Sequence, residues 1–332
     1  MWYQSFKSIH TMKKIFFTGG SGFVGQNMIP KLIEQDYQVY AIARSEKAAQ
    51  KVKAIGAIPV MDDLTNLSQS TITALSKCDI VIHSAAYMDF NYQKDLFYTL
   101  NVEATKRLLQ LSKENNIQRF IYISAAPVVP GSPIVNLSED QAKEGLPKIL
   151  YPKTKAIAEK AVLEANTSNF KTIALRPPFI WGPNNHHFEE IMERVRSGQW
   201  AWIGGGHQIL STVHIDNLST ATIAAIKKGK GGEAYFITDG DRRSMRTTLS
   251  AIFKAHGLNP GKREIPLSIA SFLANTFDTI WKVLGLTSRP PIPPLVIRLM
   301  AREFSVSDAK ARRELGYKNA VSFEEGIRTI SA

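Results

Sequence analysis

The sequence is short of cysteine, of acidic charge and of long apolar runs. One cysteine, Cys78, in 332 residues excludes an internal disulfide framework and any cysteine-rich zinc site. No stretch reaches the ~18–20 uninterrupted apolar residues of a membrane span. Residues 1–11 lack the apolar core of a secretory signal and are expected to be a short extension ahead of the fold. The expected location is cytoplasmic, with membrane association as a further option. No internal repeat or low-complexity tract is present. His186, His187 and His207 have no carboxylate or thiol at ligand spacing, so no metal is expected. Nothing interleaves aromatic and basic side chains as a nucleic-acid groove would, so no nucleic-acid partner is expected.

Positive charge is abundant. Lys and Arg number 41 against 29 Asp and Glu, a net charge of +12. Residues 1–150 hold 16 basic and 13 acidic side chains, and residues 151–332 hold 25 and 16. The excess therefore belongs mainly to the second half. Such a balance suits nucleic acid, an anionic membrane surface or a phosphorylated ligand.

Short apolar runs rich in β-branched and aromatic residues alternate with helical periods. Strands are expected at 13–18, 38–44, 57–61, 79–83, 119–124, 171–176 and 233–237. Their near-continuous apolarity suits a parallel sheet buried on both faces. The intervening helical patterns, including 93–115 and 151–165, make the expected fold α/β and doubly wound. After residue 176 the texture changes to Pro- and Gly-punctuated loops, a helix at 187–197, and a mostly helical stretch from 239 to 332.

The turn between the first strand and first helix reads Thr18-Gly19-Gly20-Ser21-Gly22-Phe23-Val24-Gly25. Gly19, Gly22 and Gly25 would permit a tight turn, a close approach of backbone to a diphosphate, and close helix–strand packing. The helix N-terminus behind them offers unpaired N–H groups to an anion. At the end of the second strand, where an NAD enzyme keeps an acid for the ribose 2′-hydroxyl, stand Ala43, Arg44 and Ser45. A guanidinium with a hydroxyl favours a 2′-phosphate, so NADP is expected ahead of NAD. Farther on, Tyr151 and Lys155 stand four apart, on one face of a helix. An ammonium beside the phenol is expected to lower its pKa, so that Tyr151 exchanges a proton with a carbinol or carbonyl oxygen.

These features together resemble the extended short-chain dehydrogenase/reductase family, in the superfamily of NAD-dependent epimerases and dehydratases. The resemblance runs from Met12 nearly to the end. It is carried by the glycine turn, Asp63-Leu64, His83-Ser84-Ala85-Ala86, Asn101-Val102, Tyr151/Lys155, Arg176-Pro177-Pro178, Trp181-Gly182-Pro183 and Val213-His214-Ile215-Asp216-Asn217. The tail, from Glu303-Phe304-Ser305 to Phe323-Glu324-Glu325-Gly326, is similar to the 3β-hydroxysteroid dehydrogenase and dihydroflavonol-reductase-like branch. The resemblance implies a Rossmann-type sheet over 12–180, rejoined by 213–238, with 181–212 and 239–332 forming a smaller substrate-binding lobe. It implies Asp63 and Leu64 at the adenine, Ala85, Ala86 and Asn101 beside the cofactor, and Pro178 and Phe179 near the nicotinamide. Tyr87, Met88, Ala125 and Asn184 would lie around the substrate.

One position departs from the family pattern. The family ends its fifth strand with paired serines, and the second orients the substrate oxygen. Here the strand reads Tyr122-Ile123-Ser124-Ala125-Ala126, which puts Ala125 at the catalytic serine. Ser124, one residue early, should point the other way by strand alternation. It is expected to touch cofactor through its backbone rather than to act as catalyst.

The segment 265–300 carries Ile269, Phe272, Leu273, Phe277, Ile280, Trp281 and Leu284 at helical spacing. It suits the core of the smaller lobe, which is the favoured expectation, the wall of an apolar pocket, or an interfacial membrane helix. The expected activity is hydride transfer between nicotinamide and a secondary alcohol or ketone on a bulky, apolar, hydroxysteroid-like substrate. The alternatives are a nucleotide-sugar epimerase or dehydratase, with Arg242, Arg243 and Arg246 facing a diphosphate, and an NADP-binding redox sensor without turnover. The resemblance also implies a homodimer built on 93–115 and 151–165.

Overall fold

The computed structural model describes residues 12–89, 91, 93–185 and 188–331; the expectations for residues 1–11, His186 and His187 lie outside them. In chain order the strands are β1 (Lys14–Thr18), β2 (Gln38–Ala43), β3 (Ile58–Met61), β4 (Ile80–His83), β5 (Arg119–Ile123), β6 (Ile134–Leu137) and β7 (Lys171–Arg176). They continue with β8 (Phe179–Trp181), β9 (Trp202–Ile203), β10 (Thr212–His214), β11 (Glu233–Phe236), β12 (Glu264–Ile265) and β13 (Phe304–Val306). The helices are α1 (Phe23–Ile33), α2 (Glu46–Ala54), α3 (Gln69–Leu75), α4 (Lys94–Tyr98), α5 (Ala104–Glu114), α6 (Leu150–Glu164) and α7 (Glu189–Arg196). After them come α8 (Ile215–Lys228), α9 (Met245–Ala255), α10 (Leu267–Val283), α11 (Pro294–Met300), α12 (Ala309–Leu315) and α13 (Phe323–Ser331).

The seven expected apolar runs form one sheet, ordered β3-β2-β1-β4-β5-β7-β11, with every pairing parallel. Alternation along each strand explains why the runs are apolar throughout. Ile15, Phe17, Val39, Ala41, Ile82, Ile121, Ile123 and Leu175 pack on one face, under α1 and α8. Phe16, Val81, Phe120, Tyr122 and Ala174 pack on the other, under α3, α5 and α6. Burying one such large side chain is worth about 1.5–3 kcal/mol, so an apolar residue is favoured at every strand position. Cys78 belongs to the second face, where burial pushes its thiol up to about 12.

Strand order reverses between β1 and β4, and ligands of such sheets bind outside the carboxyl ends at that crevice. Nearly every expected cofactor residue follows the carboxyl end of a strand. The rest of the chain forms three small parallel pairs, β6 with β13, β8 with β10 and β9 with β12. A buried carboxylate ties this region together. Asp239 accepts from Trp181 Nε1 and Thr212 Oγ1 at 2.8 Å, from His214 N at 2.7 Å and from Asn217 Nδ2 at 2.8 Å.

The expectation that 265–300 is core holds for α11, which buries Leu295 and Ile297, and is corrected by the structure for α10. Within α10 only Ala270 and Ala274 are buried. They pack with Ile297 and Ala301, while Phe272 is 69 % and Val283 78 % exposed. The helix lies down through its small residues, one turn apart, and this close approach leaves several large side chains on the opposite side facing outward.

Candidate active site

The glycine turn is built to let backbone come close. Gly19 adopts φ +78°, and a Cβ there would sit 2.9 Å from the Ala85 nitrogen of the loop after β4. A Cβ on Gly25 would lie 2.5 Å from the Gly19 oxygen. Gly22 precedes α1 with no side-chain cap, and Phe23 is buried while Val24 is half-buried. The first turn of α1 therefore offers backbone N–H groups that no side chain occupies, a cradle of the shape and polarity that fits a dinucleotide diphosphate.

Behind the turn runs a buried hydrogen-bond chain. Thr105 Oγ1 has one proton and donates it to the Asn101 carbonyl at 2.8 Å. It must then accept from His83 Nε2, also at 2.8 Å, which leaves Nδ1 as an acceptor. Thr18 Oγ1 donates to that nitrogen at 2.6 Å and accepts from Ala85 N at 3.1 Å. Burial, with Lys155 adding to it, drives the His83 pKa down to about 3, so the ring stays neutral and this polarity is fixed. Asn101, in a π-helical turn between α4 and α5, accepts from Tyr87 N at 2.7 Å and donates to Tyr87 O and Thr154 Oγ1 at 3.0 and 3.1 Å. Its amide is thus spent on the loop after β4 and on α6.

Tyr151 and Lys155 lie on α6 one turn apart. Lys155 is buried, donates from Nζ to the Ile123 carbonyl at 2.7 Å, and sits 4.0 Å over the Tyr122 ring. Burial draws its pKa from 10.5 to about 7, against the opposing pull of Glu159. Tyr151 is pushed up to about 12 by burial, so the expected lowering by the lysine is not found. Desolvation of the phenolate outweighs a lysine that points to a carbonyl. One further turn along, Glu159 is held by Arg176 in a bidentate pair, with contacts of 2.6 to 3.1 Å. Glu159 and His83 were not singled out from sequence as site residues. The four-residue step from Lys155 to Glu159 was the available signal.

Ser124 N is spent on the Leu175 carbonyl at 2.8 Å, and Ser124 Oγ is buried without a partner among the described residues. Ala125 joins the apolar cluster against which Tyr151 packs. Phe179, beside the half-buried Pro178, stacks edge-on against Phe188 at 5.2 Å. Ala85 is half-buried and Ala86 exposed, Met88 is exposed, and Asn184 is exposed with φ +61°. At the far end of the crevice Arg44 is exposed, while Ser45 caps α2 by accepting from Ala48 N at 3.2 Å. Asp63 binds Thr65 and feels the Arg44 charge, which helps hold its carboxyl below the ordinary range; Leu64 packs on the core.

A profile of the 3-beta hydroxysteroid dehydrogenase/isomerase family matches residues 16–267. The chain belongs to that family. It is 34% identical over 96% of its length to a 4-hydroxy-2-methyl-3-oxo-4-farnesyl-3,4-dihydroquinoline-1-oxide ketoreductase of Stigmatella aurantiaca, covering 95% of that protein. It is 34% identical over 95% of its length to the decarboxylating sterol-4-alpha-carboxylate 3-dehydrogenase of Dictyostelium discoideum, covering 99% of that protein. Among solved structures it resembles the UDP-glucuronic acid 4-epimerase of Bacillus cereus in complex with NAD, with a TM-score of 0.74 and 20% identity. That likeness covers 96% of this chain and 97% of the other and is one of fold. As a member of the 3-beta hydroxysteroid dehydrogenase/isomerase family, the protein is a dehydrogenase/reductase acting on hydroxyl and keto groups.

The Lys155 environment has a consequence for stability. Its folded pKa of about 7 lies below the ordinary 10.5, so between those values the unfolded chain binds more protons at this residue. Stability from this group therefore rises with pH through that window, and its cost is complete below about pH 7. Urea unfolding of wild type and Lys155→Met at pH 7, 8 and 9 is expected to show wild type gaining on the variant as pH rises. A constant difference would show that the ammonium is solvated in the fold.

Proposed function

We propose that the protein is an NADP-preferring oxidoreductase for a bulky, apolar secondary alcohol or ketone, with Tyr151 as proton donor and acceptor and Lys155 as its electrostatic partner. In this reading 12–180 and 213–238 hold the dinucleotide, and 181–212 with 239–332 hold the substrate. The dinucleotide, when bound, supplies or takes the hydride. The observation that carries the reading is a buried lysine with no ion pair among the described residues, one turn from Tyr151 at the end of β5. The phenol of half-buried Tyr151 is, in its neutral form, an O–H donor to a ketone oxygen. In the reverse direction a charged Lys155 would stabilise the phenolate that accepts the carbinol proton. Gly19, Gly22 and the first turn of α1 would hold the diphosphate, and Arg44 the 2′-phosphate.

The apolar substrate is supported by the sterol and the farnesyl-bearing ketone in the relatives' names. The nucleotide-sugar alternative asks for free cations at Arg242, Arg243 and Arg246. Each is paired instead, with Glu303, with Asp241 and Glu324, and with Glu264 respectively.

The reading includes α10 as a peripheral contact with anionic lipid. Phe272, Val283 and Leu284 are exposed on it or at its end, and Lys262 and Arg263 precede it, also exposed. No helix among the described residues is long and apolar enough to cross a membrane.

Turnover of a panel of sterols, smaller secondary alcohols and UDP-sugars tests the activity. Apolar alcohols are expected to be oxidised, and Tyr151→Phe to lower kcat by about 10²–10⁴-fold. Undiminished turnover in that variant would remove Tyr151 from the chemistry. In titrations followed by nicotinamide fluorescence, Arg44→Ala is expected to weaken NADPH binding about 10- to 100-fold and leave NADH nearly unchanged. An equal effect on both would argue that Arg44 meets no phosphate. Co-sedimentation with phosphatidylglycerol vesicles is expected at low salt and to fade in high salt and in Phe272→Ser. A chain that stays in the supernatant at low salt would refute lipid contact.

A further inference from the structure

A cavity of about 380 Å³ lies between the loop after β5, the approach to α6, and the helices α10 and α11. It is separate from the candidate active site, since Tyr151, Lys155 and the glycine turn do not line it. Its charged lining residues are Lys148, Arg298 and Arg302, and no Asp or Glu lines it. None of the three has an ion pair among the described residues. Lys148 and Arg302 are exposed, whereas Arg298 is only 9 % exposed. A buried guanidinium ordinarily has an anionic partner, because taking it out of water alone is costly. Arg298 donates from Nη2 to the carbonyls of Pro127 and Val129, and its Nε is buried without a partner among the described residues. Donor capacity and a full charge are therefore left over.

The mouth of this basic cavity is apolar. Leu146 and Pro130 line it, and Leu146 is 48 % exposed. On α10, Asn275 lines it, and the exposed Phe272 stands three residues earlier, a neighbour on the helix surface. Exposed apolar side chains continue from Phe272 along α10 through Ile280 and Val283. Cations at the base and apolar side chains at the rim match an amphiphile with an anionic head. A small soluble anion would leave the rim in water.

We propose that the cavity binds the phosphate headgroup of one anionic glycerophospholipid, with Arg298 at its base, Lys148 and Arg302 toward the mouth, and acyl chain against Leu146 and Phe272. A phosphomonoester, as in phosphatidic acid, suits it best, because its charge of about −1.5 to −2 and its acceptor oxygens can be shared among three cations. The proposal rests on the lipid contact of α10 and adds to it a site of fixed stoichiometry, where contact through α10 alone asks only for negative surface charge. Pro127 and Val129 belong to the turn after Ala125, and Ile149 of the cavity stands two residues before Tyr151. A lipid held here would anchor the chain beside its active-site edge, where an apolar substrate leaving a bilayer would arrive.

Calorimetry on the full chain, with dihexanoyl phosphatidic acid below its micelle concentration, tests the site without a bilayer. One molecule is expected to bind per chain, about tenfold or more tightly than dihexanoyl phosphatidylcholine or inorganic phosphate. That preference should fall toward one in Arg298→Gln and in Lys148→Ala/Arg302→Ala, whose two positions are exposed and make no bond the fold needs. Equal binding of the two lipids, or a preference kept in both variants, would overturn the site. Inorganic phosphate binding as tightly as the lipid would leave an adventitious anion only and overturn the lipid assignment. Co-sedimentation with vesicles of matched surface charge tests the reading beneath. Stronger binding to phosphatidic acid than to phosphatidylglycerol, lost in Lys148→Ala/Arg302→Ala, supports the site. Equal binding to both vesicles leaves the α10 contact standing and opposes a headgroup site. If no vesicle is bound but the short-chain lipid binds one per chain, the α10 contact fails and the headgroup site stands.

Discussion

The geometry of the active-site edge depends on a small polar chain sealed between the sheet and its helices. Thr18, His83, Thr105 and Asn101 pass hydrogen bonds from the end of β1, through β4, to the helices beyond. The single Thr105 proton goes to the Asn101 carbonyl, and with a neutral imidazole this sets the direction of the links from Thr18 to Asn101. Asn101 then grips Tyr87 on one side and Thr154 on the other. The loop after β4, the glycine turn and the helix bearing Tyr151 are therefore held by one unit. Because these groups are buried, removing one would leave its neighbour unpaired rather than hydrated, which ties the parts closely to one another.

Much of this arrangement was legible in the sequence. The runs that became the main sheet were visible because a strand covered on both faces must be apolar at nearly every position. The glycine turn was legible because few other residues tolerate the contacts made at Gly19 and Gly25. The shared helix face of Tyr151 and Lys155 was legible from their spacing, but their electrostatics were not. Spacing says that two side chains share a face; it does not say that Lys155 turns to a strand carbonyl. Asn101 was singled out in the sequence, but the contacts by which its amide joins the Tyr87 backbone to Thr154 were not legible there.

Other features lay beyond a reading by period. The paired strands β9 and β12 have two residues each, too few for alternation to register. β6 and β13 come from distant parts of the chain, and only the tertiary fold brings them together. In α10 the apolar period was real, yet it did not say which face is buried. Two alanines decided that, because a helix approaches its neighbour most closely where its side chains are smallest. Arg298 gave no signal at all, since its meaning comes from carbonyls about 170 positions away in the chain.

The single cysteine was first useful only for what it excluded. Its place in the fold adds something else. Cys78 is buried against the helix-covered face of the sheet, and its thiol is held far from the thiolate form that reacts with oxidants and alkylating agents. The native protein is thus nearly inert at its thiol. A change in the redox poise of its surroundings would reach it through the ratio of oxidised to reduced nicotinamide, and not through its cysteine.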